Sequence, residues 1–235
     1  MTDDEKEILK TGAEAALKPF SNLMEKLFGG SVEQIGGMWE DSLRARRFER
    51  QIKLFARIQK LLDDAAVEPK EIPDKIWVPA LQAASLEDEE TLQEKWAALI
   101  TNAATDGAQN DLLPSYAEIL RQLSTPDIRI LEATCNFSEN TVFGKERTPK
   151  SIVDQAMNTE LIFDRFSDLE EKDSLRRSDF PWRRLTMHAE HLQRLGLLRI
   201  RDVLRAPIVS LTSLGYDFVR TCRPPLKKDL EPTND

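Results

Sequence analysis

Residues 73–104, PDKIWVPALQAASLEDEETLQEKWAALITNAA, carry the densest helix signals in the chain and constrain what the rest of it can fold into. Ser85 and Asp88 have the spacing of a capping box, and Glu87, Asp88, Glu89 and Glu90 put acid into a first turn, where the helix dipole favours negative charge. The spacing predicts a helix starting there. Leu92, Trp96, Leu99, Ile100 and Ala103 then recur at i, i+4, i+7, i+8 and i+11, so they share one face, and Asp106-Gly107 supplies the stop. Such a face has to be covered by other apolar surface. Pro79 forbids an undistorted helix from Asp74 to Ala84, so Ile76 and Trp77 are expected in a separate turn, with a short helix beginning near Pro79.

Upstream, Thr2 with Glu5 forms a weak capping box for a helix-favouring stretch to Lys18, and Pro19 ends it. Phe20 to Phe28 reads as a short amphipathic helix. Ser31 opens the segment expected to form the longest helix, with Val32, Ile35, Leu43, Phe48, Ile52, Phe55, Ile58 and Leu62 at roughly helical spacing up to Asp63-Asp64. Gly36-Gly37 lies in its first turns at a cost of about 1 kcal/mol per glycine, so either the helix begins after the pair or another backbone packs closely against it. Downstream, Pro114-Ser115 starts a helix through Tyr116, Ile119, Leu120 and Leu123. Thr125 is the expected N-cap of the next, with Pro126 at its first helical position, and a domain boundary is placed here. That helix uses Ile128, Leu131 and Cys135; a polar loop over Asn136 to Lys150, a helix over Ser151 to Phe166 and a loop over Ser167 to Asp179 should follow.

In the tail, Leu185, Leu192 and Leu195 make a helix face that ends at Gly196, and Leu197 to Ile200 turns to strand character. A turn over Val203 to Pro207, a return strand over Ile208 to Leu211 and a last helix capped by Thr212 complete the pattern. Preceded by helices at Pro126 and Ser151, this order resembles a winged helix-turn-helix module. The fold class expected is mainly α: a helical bundle over residues 1–123, a winged-helix domain with a small β-hairpin over 124–222, and a disordered polar tail over 223–235.

Several of these stretches also carry a family resemblance. Pro79-x-Leu81-x-x-Ala84-Ser85-Leu86-Glu87-Asp88, followed by Leu92-x-x-x-Trp96-Ala97-x-Leu99-x-x-Asn102-Ala103, resembles the abortive infection alpha family of prokaryotic proteins. Gly36 to Leu62, Pro114-Ser115, Ile119-Leu120-x-x-Leu123-Ser124-x-x-Asp127 and the tail Leu211-Thr212-x-x-Gly215-x-x-Phe218-x-x-x-Cys222 are similar to the same family. The resemblance covers most of the chain apart from the first 30 residues and the segment around 138–180. It implies a role in defence against phage and no catalytic residues.

Charge is distributed unevenly. The 235 residues carry a formal net charge of −8, which excludes a uniformly basic nucleic-acid coat. Between Arg44 and Lys60, however, Arg44, Arg46, Arg47, Arg50, Lys53, Arg57 and Lys60 face the single acid Glu49, whereas Leu61 to Glu94 holds ten acids against Lys70 and Lys75. Opposite signs in consecutive elements lead us to expect the basic helix to face the acidic one, within the chain or across a dimer; the sharper alternative has the arginines face nucleic acid or an anionic membrane. From Ser174 to Arg205, eight arginines stand against Asp179, Glu190 and Asp202. Arg183, Arg184 and Arg194 in the helix, with Arg199, Arg201 and Arg205 in the wing, are the nucleic-acid-binding candidates, against the alternative that they pair with acids elsewhere in the chain.

Chemistry is sparser. His188, Glu190 and His191 have a metal flavour, but the spacing departs from the metalloprotease pattern, and His188 beside Leu185 and Leu192 reads as a partly buried core histidine. No glycine-rich phosphate loop or nucleophile elbow is present, so no cofactor and no catalysis are expected. Cys135 and Cys222 read as two buried thiols, and the tryptophans as core. The start Met1-Thr2-Asp3-Asp4-Glu5 lacks a signal-peptide pattern and the longest apolar run, Trp96 to Ile100, is five residues, so a cytoplasmic protein is expected. The leading expectation is a non-enzymatic phage-defence protein that binds a protein partner, another copy of itself or nucleic acid, with no small-molecule substrate. The alternatives are a winged-helix DNA-binding regulator and a membrane-perturbing effector.

Overall fold

The computed structural model describes residues 20–28, 44–105, 113–141, 157–158, 180–203 and 206–225. The expectations for Thr2 to Lys18, the Gly36-Gly37 pair, Asp106-Gly107, the loop over Ser167 to Asp179 and the tail beyond Pro225 lie outside them. Two compact units emerge: residues up to Arg121 together with those from Cys222 onward, and Gln122–Thr221.

The first unit is helical. Helix α1 (Ser21–Phe28) buries Leu23 and Leu27, and the Leu27 carbonyl accepts from the Ile72 N–H at 2.8 Å. Helix α2 (Arg44–Ala65) is the longest among the described residues and lays Leu54, Phe55, Ile58 and Leu62 against α3 (Asp74–Leu86) and α4 (Glu90–Thr105). Helix α5 (Leu113–Leu120) seats the fully buried Tyr116 and packs on α3 and α4. All five residues assigned to the face of α4, Leu92, Trp96, Leu99, Ile100 and Ala103, are in the core.

Two local expectations are corrected. Helix α3 runs unbroken through Pro79, so Ile76 and Trp77 belong to it and not to a separate turn. Pro79 and Lys75 are both exposed, so the carbonyl deprived of its partner by the missing N–H lies on the solvent side. Meanwhile the Ile76 and Trp77 N–H groups both find the Pro73 carbonyl and the Trp77 indole donates to Asp74 Oδ1 at 3.0 Å, which anchors the first turn. Ser85, in turn, does not cap α4. It lies inside α3, its hydroxyl bonded to the Gln82 carbonyl, and Glu87 takes the capping role, its Oε1 accepting from the N–H groups of Asp88 and Glu89, both at 2.9 Å. Glu87 stands two positions further on, and its longer side chain folds back over the two N–H groups that lead into α4.

The second unit surrounds a small sheet with helices α6 (Thr125–Thr141), α7 (Phe180–Arg194) and α8 (Ser213–Thr221). Strands β2 (Leu198–Val203) and β3 (Ala206–Leu211) form the expected hairpin, paired from Leu198↔Leu211 to Val203↔Ala206, so Val203, Ala206 and Pro207 belong to the ladder and not, as expected, to the turn. The sheet has a third member, β1 (Met157–Asn158), antiparallel to β3 through Met157↔Val209 and Asn158↔Ile208. The helix expected over Ser151 to Phe166 is therefore wrong at these two residues, where the open edge of β3 recruits the backbone and outweighs local propensity. Helix α6 also continues past Asn136 to Thr141, where a loop was expected. Ser138 is buried there, and Thr134 one turn earlier; their hydroxyls donate to the carbonyls of Thr134 and Ile130, four residues back, so each buried hydroxyl is satisfied within the helix.

Both units use the same device to end a helix. Gly196, at φ +75°, closes α7: its N–H bonds the Gln193 carbonyl and the Leu197 N–H the Leu192 carbonyl, as expected of a C-terminal glycine. Ala66, at φ 54°, closes α2 through the equivalent bonds to Asp63 and Leu62, without the glycine. Ala66→Gly is therefore expected to stabilise the protein by about 0.5–1 kcal/mol, read as a higher urea midpoint at unchanged m-value. Gly215 presents the reverse case: a Cβ there would lie 2.0 Å from the Leu197 carbonyl oxygen. Gly215→Ala should cost about 2 kcal/mol or more, while Ser213→Ala on the exposed side of the same helix should stay within about 0.5 kcal/mol.

Candidate functional site

The first turn of α6 holds a buried carboxylate. Ser124 is its N-cap, since the Ile128 N–H bonds the Ser124 carbonyl, and Asp127 reaches back to accept from the Ser124 N–H at 2.8 Å and its hydroxyl at 2.7 Å. This is the back-reaching half of a capping box, with aspartate in the glutamate position, one residue ahead of the expected Thr125 cap. Asp127 retains only 2% side-chain exposure, and its other side meets α7: Oδ1 lies 2.9 Å from His188 Nδ1 and Oδ2 lies 3.5 Å from His191 Nδ1. A carboxylate only accepts, so His188 presents its proton on Nδ1. One residue thus closes a helix terminus and fastens a second helix to it.

The arrangement limits the chemistry available to it. The Ser124 hydroxyl is spent on Asp127, and both histidines turn Nδ1 to the same carboxylate, so no imidazole stands where it would activate the serine. Glu190 is exposed and outside the cluster; the third member is Asp127. His188 is the half-buried residue expected at that position, held by a hydrogen-bond partner, Asp127, that the α7 pattern alone does not reveal. Among the described residues no group of three His, Cys, Asp or Glu is placed to hold a metal ion. Cys135 and Cys222 are both buried and are not joined in a disulfide.

Around α7 and the hairpin lie the arginine candidates. Arg184 is half-buried in α7, Arg194 is exposed in its last turn, and Arg199 and Arg201 are exposed on β2. The side chain of Arg183, and Arg205, lie outside the described residues. Arg199 and Arg201 alternate with Leu198 and Ile200, which face Leu211 and Val209 across the hairpin, so the two arginines share the sheet's outer face. The hairpin is placed by Thr212, whose hydroxyl donates to the Gly196 carbonyl at 2.5 Å and accepts from the Gly215 N–H at 2.9 Å, capping α8 as expected.

In the first unit the basic helix meets acid. Arg50 lies 3.7 Å from Asp88 and donates to the Leu86 carbonyl, and Arg57 pairs with Glu90 at 2.9 Å and also reaches Gln93 Oε1. Lys53 bonds Glu49 at 2.7 Å within α2, and its hydrogen bond and charge hold the Glu49 carboxyl below its ordinary value. The side chains of Arg44, Arg46 and Arg47 lie outside the described residues. The expected facing of basic and acidic segments is thus met within the chain at Arg50 and Arg57.

The family model of abortive infection alpha matches residues 46–222, about three quarters of the chain. The chain belongs to the abortive infection alpha family. No curated protein and no solved structure shows a significant match. Membership carries a role in abortive infection, the defence against phage. In this family member the residues behind the sequence resemblance are architectural: Leu92, Trp96 and Leu99 form core, Asn102 donates to the Arg223 carbonyl at 2.8 Å, Ser124 and Asp127 make the cap, and Thr212 and Gly215 set the end of the hairpin. Asp127 is the site residue missing from the candidates read from sequence, although its Ser-x-x-Asp spacing is a capping signal.

Asp127→Ala should destabilise the protein by about 3 kcal/mol, because it removes a cap and leaves two imidazoles facing a void, whereas Ser124→Ala, which removes the cap hydroxyl alone, should cost about 1 kcal/mol. Urea unfolding followed by circular dichroism measures both. Equal losses would mean that the histidine contacts add nothing.

Proposed function

We propose that the protein is a non-enzymatic abortive-infection protein that acts by binding a partner, with the C-terminal unit as its contact module. The observation that carries the defence role is the family match over residues 46–222. What supports binding over catalysis is the commitment of Ser124, Asp127, His188 and His191 to one another, which leaves the strongest cluster of reactive groups in the unit as a brace. A second reading, a DNA-binding regulator of the winged-helix kind, is favoured by the order α7, hairpin, α8 and by the exposed arginines on β2. Among the described residues no helix is long and apolar enough to cross a membrane.

Bacteria expressing the protein should plate a panel of phages at lower efficiency than bacteria carrying an empty vector, with infected cells dying before progeny are released. Equal plating across a broad panel would remove the defence reading. Protection that survives Asp127→Asn, a change that keeps the shape of the brace, would agree with binding; complete loss with the fold intact would point to chemistry at Asp127.

A further inference from the structure

The hairpin and the basic helix of the first unit treat their cations differently. Arg50, Lys53 and Arg57 each have an acidic partner within reach. Arg194, Arg199 and Arg201 are exposed and have no ion-pair partner among the described residues. Across the hairpin, Arg199 stands opposite Ser210 and Arg201 opposite Ile208, so neither faces a carboxylate in the ladder. Two like charges held two positions apart on one strand face add their potentials, which makes the face attractive to an anionic partner.

We propose that this outer face of the hairpin binds the phosphodiester backbone of a nucleic-acid duplex, with Arg199 and Arg201 on phosphates and Arg194 adding charge at the end of α7. The proposal rests on the reading of the C-terminal unit as the contact module. Residues two apart on a strand are separated by about 6.6 Å, a step that lets neighbouring guanidinium forks engage successive phosphates of one nucleic-acid strand. Helix α7 does not share this character. Its exposed surface includes Met187 and Glu190, the second a carboxylate that phosphate repels, whereas the described outer-face residues of the hairpin carry positive charge alone. The contact therefore runs through the hairpin to the backbone and discriminates weakly between base sequences.

Fluorescence anisotropy of the full chain with a labelled DNA duplex of about 20 base pairs, and with an RNA duplex of the same sequence, tests this from about 50 to 200 mM salt. The wild type should bind with a steep salt dependence and similar affinity for a scrambled duplex. Arg199→Gln with Arg201→Gln should weaken binding by about tenfold or more and make the slope of log K against log salt shallower by about 2. Glu190→Gln should not weaken it. Circular dichroism checks that the double variant folds; both changes are on an exposed face. Comparison of the two duplexes shows which nucleic acid is the ligand. No salt-dependent binding to either duplex, or a folded double variant with wild-type affinity and slope, overturns the proposal. Strong preference for one sequence, lost in Glu190→Gln, overturns the backbone-only contact. Phage plating is scored separately, so the defence reading and this one fail independently.

Discussion

The C-terminal unit depends on the carboxylate of Asp127. A charge buried to this degree is costly unless every lone pair is used, and here two donors come from Ser124 and the remaining side is met by His188 and His191. The same group that completes the first turn of α6 fixes the rotation of α7 about its own axis, because only one orientation sets two histidines three residues apart against one carboxylate. The position of α7 fixes the turn at Gly196, and from that turn the carbonyls of Gly196 and Leu197 receive Thr212. The arginines of β2 are thus aimed by a chain of polar contacts that begins at Asp127.

Ion pairs elsewhere do a different kind of work. Arg50 with Asp88 and Arg57 with Glu90 involve acids that are more than three quarters exposed, so each contributes about 0–1 kcal/mol and neither holds the first unit together. The burial of Trp77, Trp96, Phe55 and Tyr116 does that. The pairs set register: they fix α2 along its axis against the start of α4, and Arg57 binds both Glu90 and Gln93, one turn apart.

The sequence revealed most where one physical signal acts alone. The face of α4, the glycine that ends α7 and the threonine that caps α8 could be read directly, since each depends on spacing or on a single backbone requirement. It misled where two signals competed. Ser85 had the spacing to cap α4, but it is held inside α3, and the side chain of Glu87, read only as first-turn acid, bonds the N–H groups leading into α4. Ser124 and Thr125 competed for α6, and the decisive contact, Asp127, also answered to histidines 61 and 64 residues away. Pro79 looked like a break because exposure, which makes a missing hydrogen bond cheap, is not written in local sequence. The polar end of α6 looked like a loop because hydroxyls that bond back into their own helix cannot be told from hydroxyls that face water. The two residues of β1 have no local signature at all; they are a strand only because β3 has an open edge.

The same division separates architecture from recognition. Residues that carry the family resemblance in the C-terminal unit, Ser124, Asp127, Leu211, Thr212, Gly215 and Phe218, are caps, close backbone approaches and core, each with a requirement that few side chains meet. Arg199 and Arg201 are not among them, and nothing in the fold demands arginine there: an exposed strand position accepts many residues at small cost. Cations that folding does not demand, on a face that a buried carboxylate and a threonine cap hold in place, are free to vary without disturbing the fold, so that recognition and architecture can change independently.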